Sequence, residues 1–208
     1  MRRIILFMLA LVACHNVEAA TPKEWLQRLA TTLGTRYAMN MDISISSYDT
    51  LHGYFEVEGD GYYLTLGAME VYSDGYLRYE INNERKEVTE DSVNLASSDL
   101  LSNPTRAFTF IDEEYTIVEV TPATAGFCGV SEEEDVVLGI TPRDYSMGLN
   151  NIYVWLHSTS DGGVVPRAML YDYDGERVYI SLDKVTADGT LPRWDKGKYR
   201  TYDIVSFL

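Results

Sequence analysis

The sequence predicts a mainly β protein with helices, of the α+β class. The expected architecture is one strongly curved antiparallel sheet of about 10–11 strands that wraps an N-terminal helix and short helices. Three observations carry that expectation. Only one stretch, near residue 22, keeps a good helical period. From residue 38 onward apolar residues recur at every second position in short runs. Turn formers, not crossover helices, divide those runs.

The helix comes first. Thr21-Pro22-Lys23-Glu24 reads as a capping box with proline at the first helical position, and Trp25, Leu26, Leu29, Ala30 and Leu33 follow at helical spacing. Gly34 is placed to end it. The resulting apolar stripe needs a partner surface.

The strands follow. Met39, Met41, Ile43 and Ile45 alternate with Asn40, Asp42, Ser44 and Ser46, as in a strand with one buried face. The runs GYFEV (53–57), YYLTL (62–66), MEVY (69–72), LRYEI (77–81) and KEVT (86–89) are separated by Gly59-Asp60-Gly61, Asp74-Gly75 and Asn82-Asn83, and predict an antiparallel meander. Residues 90–112 break the pattern and predict two short helical pieces around Pro104. Strands resume at 115–120, 136–141, 151–156, 165–172 and 178–185, and the chain closes with TYDIVSF (201–207). No Pro/Ser linker interrupts this order, so residues 20–208 are expected to form a single domain.

The stretch YDYDGERVYI (171–180) has the look of a calcium loop, since Asp172, Asp174 and Gly175 match EF-hand spacing. With Gly175 at the sharp turn, however, the first and last ligand positions fall on Leu170 and Ser181, and both essential carboxylates are missing. Asp-Gly between two apolar alternating runs predicts a hairpin instead.

Composition bounds the function. The 208 residues are 46% hydrophobic and carry a formal charge of −15, which leaves no basic patch for nucleic acid and no attraction to an anionic lipid surface. Arg2-Arg3, the apolar run 4–13 and Val17-Glu18-Ala19 predict a signal peptide over residues 1–19. Export to the periplasm follows, as a monomer whose charge becomes −16 once Arg2, Arg3 and Glu18 are removed. A second reading stays open, because Leu11-Val12-Ala13-Cys14 is similar to a lipobox, in which Cys14 is lipidated and the protein is an outer-membrane lipoprotein. In either case Cys128 has no partner for a disulfide.

Chemistry has little to stand on. After the signal only His52 and His157 remain, and with one cysteine they assemble no zinc spacing; no metal site and no cofactor are expected. Cys128 lies in a glycine-flanked acidic loop that disfavours its thiolate. The run Glu132-Glu133-Glu134-Asp135 reads as a solvated loop, and no G-x-S-x-G elbow, Walker A or dinucleotide glycine pattern exists. The chain reads as non-catalytic. What stands out is sixteen tyrosines, six phenylalanines, three tryptophans and seven methionines; most fill a core, and Met and Tyr also suit a cavity for flexible apolar ligands.

The order of motifs resembles the LolA-like outer-membrane lipoprotein carrier family. The resemblance rests on MEVYSDGYLRYEINNERKEVT (69–89), LLSNPTRAFTFIDEEY (100–115), YDYDGERVYISL (171–182) and LPRWDKGKYRTYDIVSF (191–207), and covers residues 21–208. It implies an incomplete antiparallel β-barrel covered by helices. It also implies a periplasmic carrier that shelters acyl chains of a lipoprotein or other lipid, with handover proteins at the inner and outer membranes. Two departures set this chain apart: YYLTLGAMEVY lacks the arginine that better-known members carry in this region, and the usual extension past the closing segment is not seen. The candidate cavity residues are Trp25 and Leu29 on the helix, and Met39, Met41, Ile43, Met69, Val71, Leu77, Tyr79 and Ile81 on strand faces. The alternative is a binding module anchored through Cys14, with no carrier activity.

Overall fold

A computed structural model describes residues 20–45, 49–93, 105, 115–131, 133–143, 149–173, 176–187 and 189–208. The expected signal peptide, Cys14, the two helical pieces around Pro104 and the tip of the Asp174-Gly175 turn lie outside the described residues, Thr105 apart.

Helix α1 (Pro22–Leu33) begins as its sequence dictates. The Thr21 side chain accepts from the Glu24 N–H while the Glu24 carboxylate accepts from the Thr21 N–H at 2.7 Å, a reciprocal capping box. The Thr21 N–H and, beside it, the Thr21 hydroxyl donate to the carboxylate and hold the Glu24 carboxyl below its ordinary value. Gly34, at φ +64°, ends the helix in a backbone conformation that only glycine adopts readily, its N–H donating to Ala30 O. Leu26, Leu29 and Leu33 are buried on one face of α1.

The strands are β1 (Arg36–Ile45), β2 (Leu51–Glu58), β3 (Gly61–Leu66), β4 (Met69–Ser73), β5 (Leu77–Asn82), β6 (Glu87–Ser92), β7 (Tyr115–Glu119), β8 (Asp135–Pro142), β9 (Leu149–Ser158), β10 (Val164–Tyr173), β11 (Glu176–Thr186) and β12 (Asp203–Ser206). A one-turn helix, α2 (Pro122–Ala125), stands between β7 and β8. Every run of period two became a strand. The hairpin read at residues 171–180 joins β10 to β11, whose pairing extends to Tyr173 opposite Glu176.

The barrel expectation needs correcting. The strands form one open, mixed sheet of twelve in the order β12-β6-β5-β4-β3-β2-β1-β11-β10-β9-β8-β7, neither closed nor strongly curled. Among the described residues it therefore has twelve strands, not 10–11, and it does not wrap the helix as a barrel would. Nor is it wholly antiparallel, because β12 runs parallel to β6. The physical reason lies in what the sheet buries. A barrel has one apolar interior, whereas this sheet carries buried apolar clusters on both faces, so it is a layered structure. Strand β8 shows this locally, with five consecutive buried residues, Val136 to Ile140.

One face, called here the helix face, holds the main core. Leu26, Leu29 and Leu33 of α1 join Tyr37, Met39, Phe55, Val71, Leu138, Val154 and Met169, and α1 packs mainly against β10 and β7. The opposite face has two smaller cores. Phe127 and Ala125 cover Val137, Ala168 and Leu170. Tyr199 covers Tyr72, Ile81 and Val88, with Trp194 and Tyr202 beside it.

That last cover comes from residues 189–202, which cross the opposite face from β11 toward β6. A parallel pairing requires such a crossover, and it proceeds strand by strand. Gly189 meets Glu56 of β2, Leu191 meets Gly61 of β3, Trp194 meets Tyr72 and Tyr79, and Tyr202 donates to Asn83.

Candidate functional site

Register decides which candidate residues share a surface, because residues directly opposite each other in a ladder point to the same face. Met39 is opposite Phe55, Phe55 opposite Leu64, and Leu64 opposite Val71. Met41 leads in the same way through Gly53 and Leu66 to Met69, and Ile43 is opposite Leu51. Across the other ladder of β1, Met41 faces Leu182 and Ile43 faces Ile180, with Met169 next along. Trp25 and Leu29 from α1 join the same cluster as Met39, Met41 and Val71. The helix face thus collects Trp25, Leu29, Met39, Met41, Ile43, Met69 and Val71.

The register places the remaining three candidates elsewhere. Val71 is opposite Glu80, so Leu77, Tyr79 and Ile81 point to the other side of the sheet. Ile81 is buried there and Tyr79 packs beside it under the crossover segment.

Burial grades along the helix face. Leu29 and Met39 are buried in the main core, whereas Met41, Ile43, Leu64, Leu66, Met69 and Ile180 are only half-buried and Leu51 is exposed. None of these residues is charged, so a contiguous apolar surface runs past the helix on neighbouring strands. It gives way to polar groups at β5, where Arg78 pairs with Glu80 beside Asn82. At that border the Tyr62 phenol is pushed up by burial and drawn back by the adjacent Arg78 guanidinium.

The opposite face offers a different chemistry. A cleft of about 580 Å³ lies beside residues 190–194, walled by Tyr72, Tyr79 and Trp194 and by the carboxylates of Glu58, Asp60 and Asp74. Trp194 stacks on Tyr79 at 4.5 Å and on Tyr199 at 4.9 Å, with 9° between the planes in each case. Three carboxylates make this cleft a poor home for an acyl chain.

Below the stack, Glu70 anchors the crossover. Its Oε2 accepts from Lys198 Nζ, Tyr199 Oη and Tyr72 Oη at 3.0 Å each and from Tyr63 Oη at 3.2 Å, and its Oε1 accepts from Asn83 at 2.9 Å. Burial alone would raise the Glu70 pKa, but the donors from Asn83, Lys198, Tyr199 and Tyr72 outweigh it and hold the group at about 2. Burial and the Tyr199 contact push the Tyr72 phenol up to about 12.

The groups considered for chemistry are dispersed. His52 bonds Asp42 at 2.7 Å on the exposed start of β2, and His157 bonds Asp135 at 2.8 Å on β9. Cys128 is exposed. Among the described residues no group of three or more His, Cys, Asp or Glu is arranged to hold a metal.

Sequence reasoning missed two features. The helix α2 was signalled by Thr121 as cap, Pro122 at the first position and Gly126 just past the end, at φ +82°. The Glu70 anchor had no local signal, since Lys198 and Tyr199 lie more than a hundred residues away in sequence.

Among the described residues the chain is an open twelve-stranded sheet with an amphipathic helix on its apolar face. In structure the chain is similar to an uncharacterized conserved protein from Thermus thermophilus, with a TM-score of 0.51 and 8% identity over 88% of this chain and 98% of that one. It also matches a LolA superfamily protein from Nitrosomonas europaea (TM-score 0.39, 11% identity, 87% and 98% covered) and LprF from Mycobacterium bovis (0.45, 12%, 84% and 99%). No protein-family model and no curated protein matches the chain. At these identities the likeness is one of fold.

Proposed function

We propose that this chain is a lipid-binding carrier of the exported, LolA-like kind, which shelters acyl chains of a lipoprotein or related lipid against the helix face. The observation that carries the proposal is the half-buried apolar surface formed by Met41, Ile43, Leu64, Leu66, Met69 and Ile180 beyond the buried core. Each methylene taken from water onto such a surface is worth about 0.8 kcal/mol, so a carrier needs apolar area and no catalytic group. Methionine suits this role because its unbranched thioether adapts to flexible chains. The sequence resemblance supports the same reading, and so does the placement of seven of the ten candidate residues on one face. In this reading Trp25 and Leu29 hold the helix over the near end of the site while Met39 and Val71 floor it. Periplasmic residence, monomeric state and handover to membrane-bound partners belong to the proposal.

Titration with a fluorescent C16 fatty acid tests it. Saturable uptake that is lost in Met41→Asp/Met69→Asp, with the circular dichroism spectrum kept, supports the site. Full uptake by that folded variant overturns it.

A further inference from the structure

We propose that the outer edge of β12 is a docking strand, which takes up an extended segment of another polypeptide by strand addition. The segment is apolar and carries a lysine or arginine opposite Asp203. This goes beyond the acyl-chain site, which lies on the helix face of other strands.

Strand β12 is the last of its sheet and is held by β6 alone. The Asp203 N–H donates to Lys86 O and the Phe207 N–H to Glu90 O, both at 2.9 Å. Backbone groups alternate between the two edges of a strand, so the N–H and C=O groups of Ile204 and Ser206 face away from β6. Among the described residues no strand pairs with that outer edge. An edge of this kind is a template for another chain; β12 is short and carries the charge of Asp203, but the strand DIVS has no lysine, proline or bulge to block the approach.

The side chains reinforce the backbone. Ile204 and Val205 are 39% and 42% exposed, and Phe207 and Leu208 are each 67% exposed. Tyr76, at 79%, stands at the same end of the sheet, since Leu77 pairs with Ser92 and Ser206 with Glu90. Large exposed apolar side chains are therefore concentrated on one edge, as at an interaction surface.

Charge selects the occupant. Asp203 lies opposite Glu87, and the two carboxylates share a face with no ion-pair partner among the described residues. Glu90 and Asp91 follow on the same strand as Glu87. An incoming cation neutralises this edge, whereas a second copy adds the same carboxylates and its own net charge of −15. The chemistry fits a basic-flanked, apolar strand from a different protein.

The test uses the isotope-labelled full chain and a peptide of sequence Lys-Val-Thr-Val-Thr-Val-Lys. The proposal expects saturable binding with slowed exchange of the Ile204 and Ser206 amides, and little binding of the same peptide with glutamate at both ends. In Ser206→Pro, which removes an outward donor but no bond to β6, binding falls at least about tenfold. Asp203→Lys reverses the preference toward the glutamate-flanked peptide. Absence of binding, equal binding by Ser206→Pro, or no preference between the peptides overturns the proposal. So does dimerisation that protects the same two amides, which would make a second copy the occupant, and so does sedimentation with phosphatidylcholine vesicles that requires Phe207.

Discussion

Lys198 Nζ sits 3.0 Å from Glu70 Oε2, joining the crossover segment to β4 across 128 residues of sequence. The lysine also lies over the Tyr199 ring, 4.8 Å from its centroid, so one side chain ties a carboxylate to the aromatic stack. Burial opposes the charged form of Lys198, yet the contacts with Tyr199, Glu70 and Tyr72 win and its pKa is raised. Glu70 and Lys198 thus stabilise each other as ions.

Glu70→Ala removes the common acceptor of Lys198, Tyr199, Tyr72, Tyr63 and Asn83. The expected loss is about 1–2 kcal/mol, because Tyr63 loses its acceptor while Lys198, Tyr199, Tyr72 and Asn83 exchange a charged acceptor for the neutral contacts they keep with one another and with Ala68 O. Urea unfolding reads the loss. Hydrogen exchange localises it, with protection falling in residues 194–206 while β8, β9 and β10 keep theirs.

Acid acts on the same contact. The Glu70 pKa is depressed to about 2 from an ordinary value near 4.5. Its contribution is therefore fully present above about pH 4.5 and lost as pH falls through about 2. Wild type loses stability across that interval more steeply than Glu70→Gln, which has no proton to take up. Parallel slopes for the two proteins would remove Glu70 from the account of acid sensitivity.

Gly189 is closely approached by the far end of the Glu56 side chain. A Cβ there would collide with Glu56 Oε1, a buried carboxylate oxygen that has no hydrogen-bond partner among the described residues. Gly189→Ala is expected to destabilise by about 1–3 kcal/mol. In Glu56→Ala/Gly189→Ala the obstructing group is gone, so the second substitution costs little. A double-mutant cycle with no coupling energy would contradict this close approach.

The helix, the strands and the Asp-Gly turn were legible because each depends on neighbours in sequence: the Thr21–Glu24 box, the alternation from Met39 to Ile45, and the turn formers between runs. The architecture was not legible to the same degree. Alternation says that a strand has two unlike faces, but only pairing says which faces coincide, and so Val71 and Tyr79 read alike in sequence although they stand on opposite sides. The open sheet was hidden because the cover of the second face comes from Phe127, Trp194 and Tyr199, in segments without periodicity. The parallel arrival of β12 depends on the same crossover that carries Trp194 and Tyr199.

That separation of faces gives a discriminating pair. Met41→Asp is expected to abolish acyl-chain uptake while leaving the Trp194 environment unchanged. Tyr79→Asp is expected to leave uptake within about twofold of wild type and to shift Trp194 fluorescence, since it breaks the 4.5 Å stack. Equal loss of uptake in both variants would mean that the two faces do not act separately.

Native mass spectrometry of the protein purified from an exporting cell asks whether the helix face holds lipid. The expected result is an added mass corresponding to an acyl lipid or acylated peptide, released on denaturation and diminished in Met41→Asp/Met69→Asp. A protein that arrives empty and takes up no added acyl chain would contradict it.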